Sequence, residues 1–230
     1  MDKKLKLVVS TGAGISAESG IATFRDSGGT WEKYDVMEVA SHEGYLRNPQ
    51  LIHRFYNSRR KEMNGVEPNA AHEALAKLEE KYDVYVITQN VDNLHERAGS
   101  SKVLHLHGEL NKVEATDDPS KVFVLENPDA ETDVDTIIEG HHVRPHIVFF
   151  GEAVPNFEPA TRLVEEADIF VIVGTTLSVY PAASLLAYVR PGVPVYYIDP
   201  KPAANIPGYV HVIAEPATIG MAELTKILTE

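Results

Sequence analysis

The stretch LVVSTGAGISAESGIATFRD, residues 7–26, decides the fold. Its β-branched start, Leu7-Val8-Val9, runs into Gly12-Ala13-Gly14-Ile15-Ser16-Ala17, the pattern of a buried strand that breaks into a glycine turn and then a helix. This is a phosphate-binding layout. Gly12 makes the tight turn, Gly14 lets the backbone approach a pyrophosphate, and small Ala17 lets the helix pack on the sheet with its amides toward the anion. Plain packing of a strand and helix leaves the same glycines, so the motif alone does not choose a function.

Working outward, a strand over residues 4–10 feeds this turn. A dinucleotide-binding unit would then pass through one helix to a second parallel strand within about 30 residues. Here the next strand is DVYVIT, residues 83–88, and residues 38–82 read mostly as helix, with breaks at Asn48-Pro49 and Asn64-Gly65. An insertion therefore enlarges the first crossover. Within AHEALAKLEEKY, Ala71, Leu75 and Leu78 share one face, as in a helix packed on a sheet. After QNVDNLHERAG come a short strand at residues 103–106 and the triplet His107-Gly108-Glu109. Residues 110–144 turn to short β-rich pieces among Asp, Glu, Thr and Pro, a second insertion.

HIVFFGE, DIFVIVGTTL and VPVYYIDP each read as a core strand ending in a polar loop, separated by the helical segments PATRLVEEA and AASLLAYV. This alternation predicts an α/β fold, a Rossmann-like doubly wound parallel sheet, with a smaller module formed by the two insertions. The large part takes residues 1–37, 71–109 and 145–230, and the module residues 38–70 and 110–144. Ligands of such a sheet gather at the carboxyl ends of its strands, so TGAGIS, TQNVD, HGE, FGE, GTTLS and IDP are expected to converge on one crevice.

A chain of 230 residues has room for a sizeable core, and its net charge of −13 argues against nucleic-acid or membrane partners, which demand a basic face. It has no cysteine, which excludes disulfides and thiolate metal sites. The N-terminal apolar run is too short for a signal peptide and no stretch approaches a membrane span, so a soluble cytoplasmic protein is expected.

Taken together, GAGISAESGIATFRD, TQNVDNLHERAG, HGE, RPHIVFFGE, GTTLSV and IDP resemble, in order and spacing, the motifs of the sirtuins, the NAD-dependent protein lysine deacylases. The resemblance covers nearly the whole chain and implies a Rossmann-like domain carrying a small module from two insertions. It implies that NAD is consumed as a co-substrate, giving nicotinamide, O-acyl-ADP-ribose and free lysine, with acylated-lysine proteins as substrates. It places Gly12, Ala13, Gly14 and Ile15 at the cofactor, and Phe24 and Arg25 in a cofactor loop over the ribose and nicotinamide. Gln89, Asn90 and Asp92 line the nicotinamide and ribose pocket, although Asn and Asp after a strand are also ordinary helix caps. Gly174, Thr175 and Ser178 hold phosphate or ribose, and Asp199, Lys201 and Ala217 lie toward the adenosine. Asp199, at a strand terminus, is also where a plain Rossmann acid would sit. Val148, Phe150, Gly151 and Glu152 match the segment on which a substrate peptide pairs as an added strand.

His107 matches the general base of the family, an imidazole suited to deprotonating a ribose hydroxyl near neutral pH. Strand alternation points His105 and His107 to one face and does not separate them; the His-Gly pairing of the family motif favours His107. Most sirtuins fasten the small module with four zinc-bound cysteines. This chain has none, His141 and His142 lack paired soft ligands, and no zinc is expected; apolar contacts from Val122, Val124 and Leu125 are expected in its place.

RFYNSRRKE, residues 54–62, is a basic patch in an acidic protein. Tyr56 and Arg59 share a helix face, and a guanidinium clamps a carboxylate while a phenol adds a hydrogen bond. The spacing resembles the sirtuin subgroup that removes succinyl and malonyl groups; a solvated basic helix face is the plainer reading. A monomer is expected. Two other readings stay open: a protein ADP-ribosyltransferase and a non-catalytic NAD-binding sensor.

Overall fold

The computed structural model describes residues 3–22, 34–127 and 129–230. Among them the strands are β1 (Lys6–Thr11), β2 (Asp83–Thr88), β3 (Val103–His105), β4 (Gly108–Ala115), β5 (Val122–Val124), β6 (Ile137–Ile138), β7 (His141–Ile147), β8 (Ile169–Val173), β9 (Val195–Ile198) and β10 (Val210–Ile213). The helices are α1 (Gly14–Ala17), α2 (Val36–Val39), α3 (His42–Arg47), α4 (Pro49–Asn64), α5 (Ala70–Leu78), α6 (Leu94–Arg97), α7 (Phe157–Glu165) and α8 (Ala217–Thr229), with a 3-10 helix at Ala182–Tyr188.

Six strands form one parallel sheet in the order β10-β9-β8-β1-β2-β3. Its central strands are near-continuous apolar runs because helices cover both faces. Leu7 and Val9 face the core shared with α5 and α8, whereas Val8 faces the core shared with α7 and the 3-10 helix. The Asn48-Pro49 break is a helix start. Asn48 Oδ1 accepts the Leu51 amide at 3.1 Å and Pro49 opens α4, where its missing N–H costs nothing.

β5, β4, β7 and β6 form a separate antiparallel sheet. This corrects the reading of HIVFFGE as a strand of the parallel sheet: its first residues belong to β7, which pairs with β4. Val143, Arg144, Pro145 and Ile147 are all buried, so β7 carries the continuous burial signature of a core strand while lying in the module. α4 packs Ile52, Phe55 and Tyr56 against Leu110, Ile147 and Phe149 there.

The expected apolar fastening by Val122, Val124 and Leu125 is also corrected. Val122 and Val124 are 39% and 52% exposed, because β5 is a three-residue edge strand. Polar groups of α4 hold the inserted loop instead. Asn57 donates to the Thr132 carbonyl at 2.8 Å and accepts the Thr132 amide at 3.2 Å, and His53 Nδ1 lies 2.9 Å from Thr132 Oγ1. The buried Arg60 donates through Nε to the Leu110 carbonyl and through Nη1 to the Ala130 carbonyl, each at 2.7 Å. Among the described residues no helix is long and apolar enough to cross a membrane.

Two histidines lie fully inside the large part. His72 Nδ1 accepts the Asn69 amide at 3.3 Å to close the capping box of α5, and its ring meets that of His95 edge-on at 4.9 Å. Burial pushes His72 down to about 4. The unfolded chain then binds the proton more tightly, so this contribution to stability is present above pH 6.5 and is lost as pH falls toward 4. His72→Gln, which keeps an acceptor for the Asn69 amide, is expected to remove about 2 kcal/mol of the stability difference between pH 7.5 and pH 5. Urea unfolding at both pH values checks this; an unchanged difference in the variant refutes it.

Candidate functional site

The loops after β1 and β8 sit side by side where the chain reverses its direction of sheet growth, the place where an open α/β sheet forms its ligand crevice. Their contact explains the glycines. A Cβ on Gly14 would lie 2.6 Å from Gly174 Cα, and one on Gly12 would lie 2.7 Å from Thr175 Cβ. Gly12 N donates to the Val173 carbonyl at 3.0 Å and Gly14 N to the Gly174 carbonyl at 2.8 Å. The motif therefore docks one loop on the other, and the Gly14 amide is used within the chain. Ala13 is half-buried beside it, whereas the Ile15 side chain is fully buried in the core, so only its backbone is available to a ligand.

The loop after β2 joins the same place. Gln89 N donates to the Thr11 carbonyl at 2.9 Å, and its Nε2 donates to Thr175 Oγ1 at 3.1 Å. Asn90 Nδ2 donates to Ser16 Oγ at 3.0 Å, and Ser16 Oγ donates to Asp92 Oδ2 at 3.2 Å. Asp92 Oδ1 also accepts the Leu94 amide at 3.1 Å, so it serves the start of α6 as well as the cluster. Burial raises the Asp92 carboxyl, opposed by the bonds from Leu94 and Ser16. Ser16 is the member that sequence reading missed; a hydroxyl inside the apolar start of α1 was its only signal.

His105 and His107 differ in the structure although alternation could not part them. His105 ends β3, is buried, and uses both ring nitrogens, Nδ1 at 2.9 Å from the Asn90 carbonyl and Nε2 at 2.8 Å from Glu96 Oε1. His107 lies past the strand, with Nδ1 at 3.0 Å from the Gln89 carbonyl. A carbonyl only accepts, so Nδ1 carries the proton and Nε2 keeps its lone pair, with no hydrogen-bond partner among the described residues. Burial lowers His107 below the usual imidazole value, partly offset by its bond to Gln89, which keeps the ring neutral at physiological pH.

At the carboxyl end of β9, buried Asp199 accepts the Lys201 amide at 2.8 Å, and Ala217 begins α8 under cover. Ser178 is exposed and hydrogen-bonds Thr176. Phe24 and Arg25 lie outside the described residues. The Val148 amide donates to the His107 carbonyl at 3.0 Å, the Phe150 amide to the Ala40 carbonyl at 2.8 Å, and the Phe150 carbonyl accepts the His42 amide at 2.9 Å. These backbone groups tie the FGE segment to both neighbours, and Gly151 follows with φ +91°.

Glu152 is held by Arg144 through two bonds at 2.8 and 2.9 Å, by the Phe149 amide and by His42. Arg144 stacks over Tyr45 and Phe149, its Nε 3.2 Å from Glu114 Oε1 but outside hydrogen-bond geometry. Tyr56 packs on Phe149 with ring centroids 5.9 Å apart, and burial drives its phenol far above its ordinary value despite the nearby charges of Arg59 and Arg144. Arg59, one turn on, pairs with Glu62 at 2.6 Å.

The crevice fits NAD by its donor chemistry: amide side chains at Gln89 and Asn90, hydroxyls at Ser16 and Thr175, and a buried carboxylate at Asp199, all at carboxyl ends of parallel strands. In the Glu96, His105 and Glu109 cluster the carboxylates already have partners within the chain, Glu96 in the His105 ring at 2.8 Å and Glu109 in Lys112 at 2.6 Å.

The Sir2 family model matches residues 12–181. An NAD-dependent protein deacylase of Bacteroides thetaiotaomicron is 56% identical over 227 residues, covering 96% of this chain and 97% of that protein. One from Helicobacter pylori is 51% identical over 225 residues, covering 97% of each. A solved complex of a Sir2 homolog with NAD has a TM-score of 0.87 at 37% identity, covering 98% of this chain and 90% of the other. Sir2 bound to acetylated peptide gives 0.80 at 32% identity, covering 98% and 94%.

Proposed function

Since the chain belongs to the Sir2 family and is an NAD-dependent protein deacylase, we propose that it prefers lysines carrying succinyl or malonyl groups while keeping some deacetylase activity. The observation that carries this reading is Tyr56 and Arg59 one turn apart on α4, the phenol buried against Phe149 and the guanidinium close enough to influence it. Arg59 would exchange Glu62 for the carboxylate of the acyl group, and Tyr56 would add a hydrogen bond.

Bound NAD supplies a nicotinamide–ribose bond whose cleavage opens the anomeric carbon to the acyl oxygen. Gln89, Asn90 and Asp92 would hold the carboxamide and ribose hydroxyls, and Gly174, Thr175, Ser178, Asp199, Lys201 and Ala217 the rest of the dinucleotide. His107 Nε2 would take a proton from a ribose hydroxyl, with Nδ1 held by Gln89 so that the basic nitrogen stays aimed. The substrate backbone would pair as an added strand on the segment that carries Val148, Phe150, Gly151 and Glu152. The acidic net charge of −13 supports a protein that meets neither nucleic acid nor membrane, and we place it as a cytoplasmic monomer.

Matched acetyl-, succinyl- and malonyl-lysine peptides with NAD test the preference. Arg59→Met is expected to lower succinyl and malonyl turnover by about 10–100-fold, the loss of one charged hydrogen bond, and acetyl turnover by less than about 3-fold. Equal loss on all three peptides would refute the clamp.

A further inference from the structure

His105 is a buried imidazole between two groups that only accept. Its Nδ1 is 2.9 Å from the Asn90 carbonyl and its Nε2 is 2.8 Å from Glu96 Oε1. Both contacts are hydrogen bonds only if the ring carries two protons. We propose that Glu96 is a positioning residue: through doubly protonated His105 it holds the Asn90 carbonyl, and with it the Gln89-Asn90 wall of the NAD pocket, in place. The proposal deepens the reading of that wall as NAD-binding and rests on it.

The wall is gripped at two consecutive carbonyls, Gln89 by His107 and Asn90 by His105. The two rings are in opposite states. The ring of His107 is neutral and offers a free nitrogen, whereas that of His105 is charged and offers none. Burial opposes the charge on His105, but the hydrogen bond and charge of Glu96, the charge of Glu109 and the Asn90 carbonyl together outweigh it and raise its proton affinity. The titratable and charged groups facing the ring come from three places. Glu96 and the buried neutral His95 lie on α6, Glu109 and its partner Lys112 on β4, and Asp92 in the preceding loop. Just before α7, Asn156 Nδ2 donates to the His105 carbonyl at 2.8 Å and fixes the backbone that carries the ring.

When His105 loses a proton, the one that remains stays on Nε2 against the Glu96 carboxylate, where the bond is still charge-assisted, and Nδ1 turns a lone pair on the Asn90 carbonyl. The ring then has one anchor and Asn90 is loosened. Asn90 Nδ2 in turn holds Ser16 Oγ, so the displacement reaches the pocket side of the wall. The pH dependence of NAD use therefore has two separate sources: an acid limb from His107, which must be neutral, and an alkaline limb from His105, which must be charged.

The test is Glu96→Gln, which keeps an acceptor for Nε2 and removes the charge at a partly exposed position. At pH 6.5 its KM for NAD is expected to lie within about 2-fold of wild type. Above pH 8 it should rise about 3–10-fold at nearly constant kcat, because the alkaline limb moves down by about one pH unit. Carbon-13 labelled histidine followed by NMR should show His105 protonated at pH 7 in the wild type, and losing its proton about one unit earlier in the variant. A variant whose KM for NAD tracks wild type from pH 6 to 9, or a neutral His105 at pH 7, would overturn the proposal. So would a wild-type KM that rises to the variant value in EDTA, which would make a cation the agent. Asn90→Ala separates the two ideas. If it leaves the KM for NAD unchanged, the wall reading fails; if it raises the KM while Glu96→Gln does not, only the positioning role of Glu96 fails.

Discussion

Replacing His107 by alanine is expected to lower the formation of deacylated peptide by about 10²–10⁴-fold, the usual weight of one positioned acid–base group. The KM for NAD should move only a few-fold. Gln89 is still held by Thr11 and Thr175 when the imidazole is gone, through bonds of 2.9 and 3.1 Å that do not involve it. The rate loss and the near-constant KM together identify a group that acts on a proton and is not needed to grip the ligand. The wild-type pH profile carries the same signature. Because burial holds His107 below the ordinary imidazole value, its base form should persist to a lower pH than that of an exposed histidine. Steady-state rates with an acyl-lysine peptide between pH 5.5 and 8 measure both effects. A His107→Ala enzyme within tenfold of wild type would remove His107 from the mechanism.

How far the sequence could be read depended on whether the stabilising partner was local. β1, β2, β8 and β9 were legible because helices on both faces demand unbroken apolar runs such as IFVIV, and such runs stand out. β10 went unread since VHVI is only four residues long and buries only its two ends, its two central residues being exposed at the sheet edge. β7 was found but put in the wrong sheet, because double burial looks the same in a module as in the main core. In RFYNSRRKE the pattern offered a single basic patch, yet Arg60 is a buried pin for carbonyls 50 and 70 residues away, and only contacts of that range distinguish it from Arg59. The same holds for Asn57, whose partner is 75 residues distant. In the site, the family motif separated His107 from His105, and the physical reason is that His107 lies beyond the end of β3, where strand periodicity no longer applies.

The glycine turn that opens the chain supports the second large expectation. Gly14→Ala should destabilise the fold by about 2–4 kcal/mol, the sum of an overpacked contact and a lost buried hydrogen bond, and should lower the Tm by roughly 5–15 °C. The new Cβ would meet Gly174 Cα at 2.6 Å and Gly174 O at 2.8 Å, both backbone atoms that cannot rotate away. Gly174 cannot easily retreat, because its own amide is bound to the Ile198 carbonyl at 2.9 Å and its φ of +62° lies in the left-handed region that favours glycine. The strain therefore passes to the Gly14 N–H bond and separates the loops after β1 and β8, which between them bound the crevice. NAD affinity should fall along with stability. Gly65→Ala is the matched control, since a Cβ there meets nothing within 4 Å, and it should leave both the Tm and NAD affinity close to wild type. Thermal unfolding and NAD titration of the two variants give a clear comparison. If Gly14→Ala melts with wild type and still binds NAD, then Gly14 is not the close-packed joint between the two loops, and the crevice must be held together elsewhere.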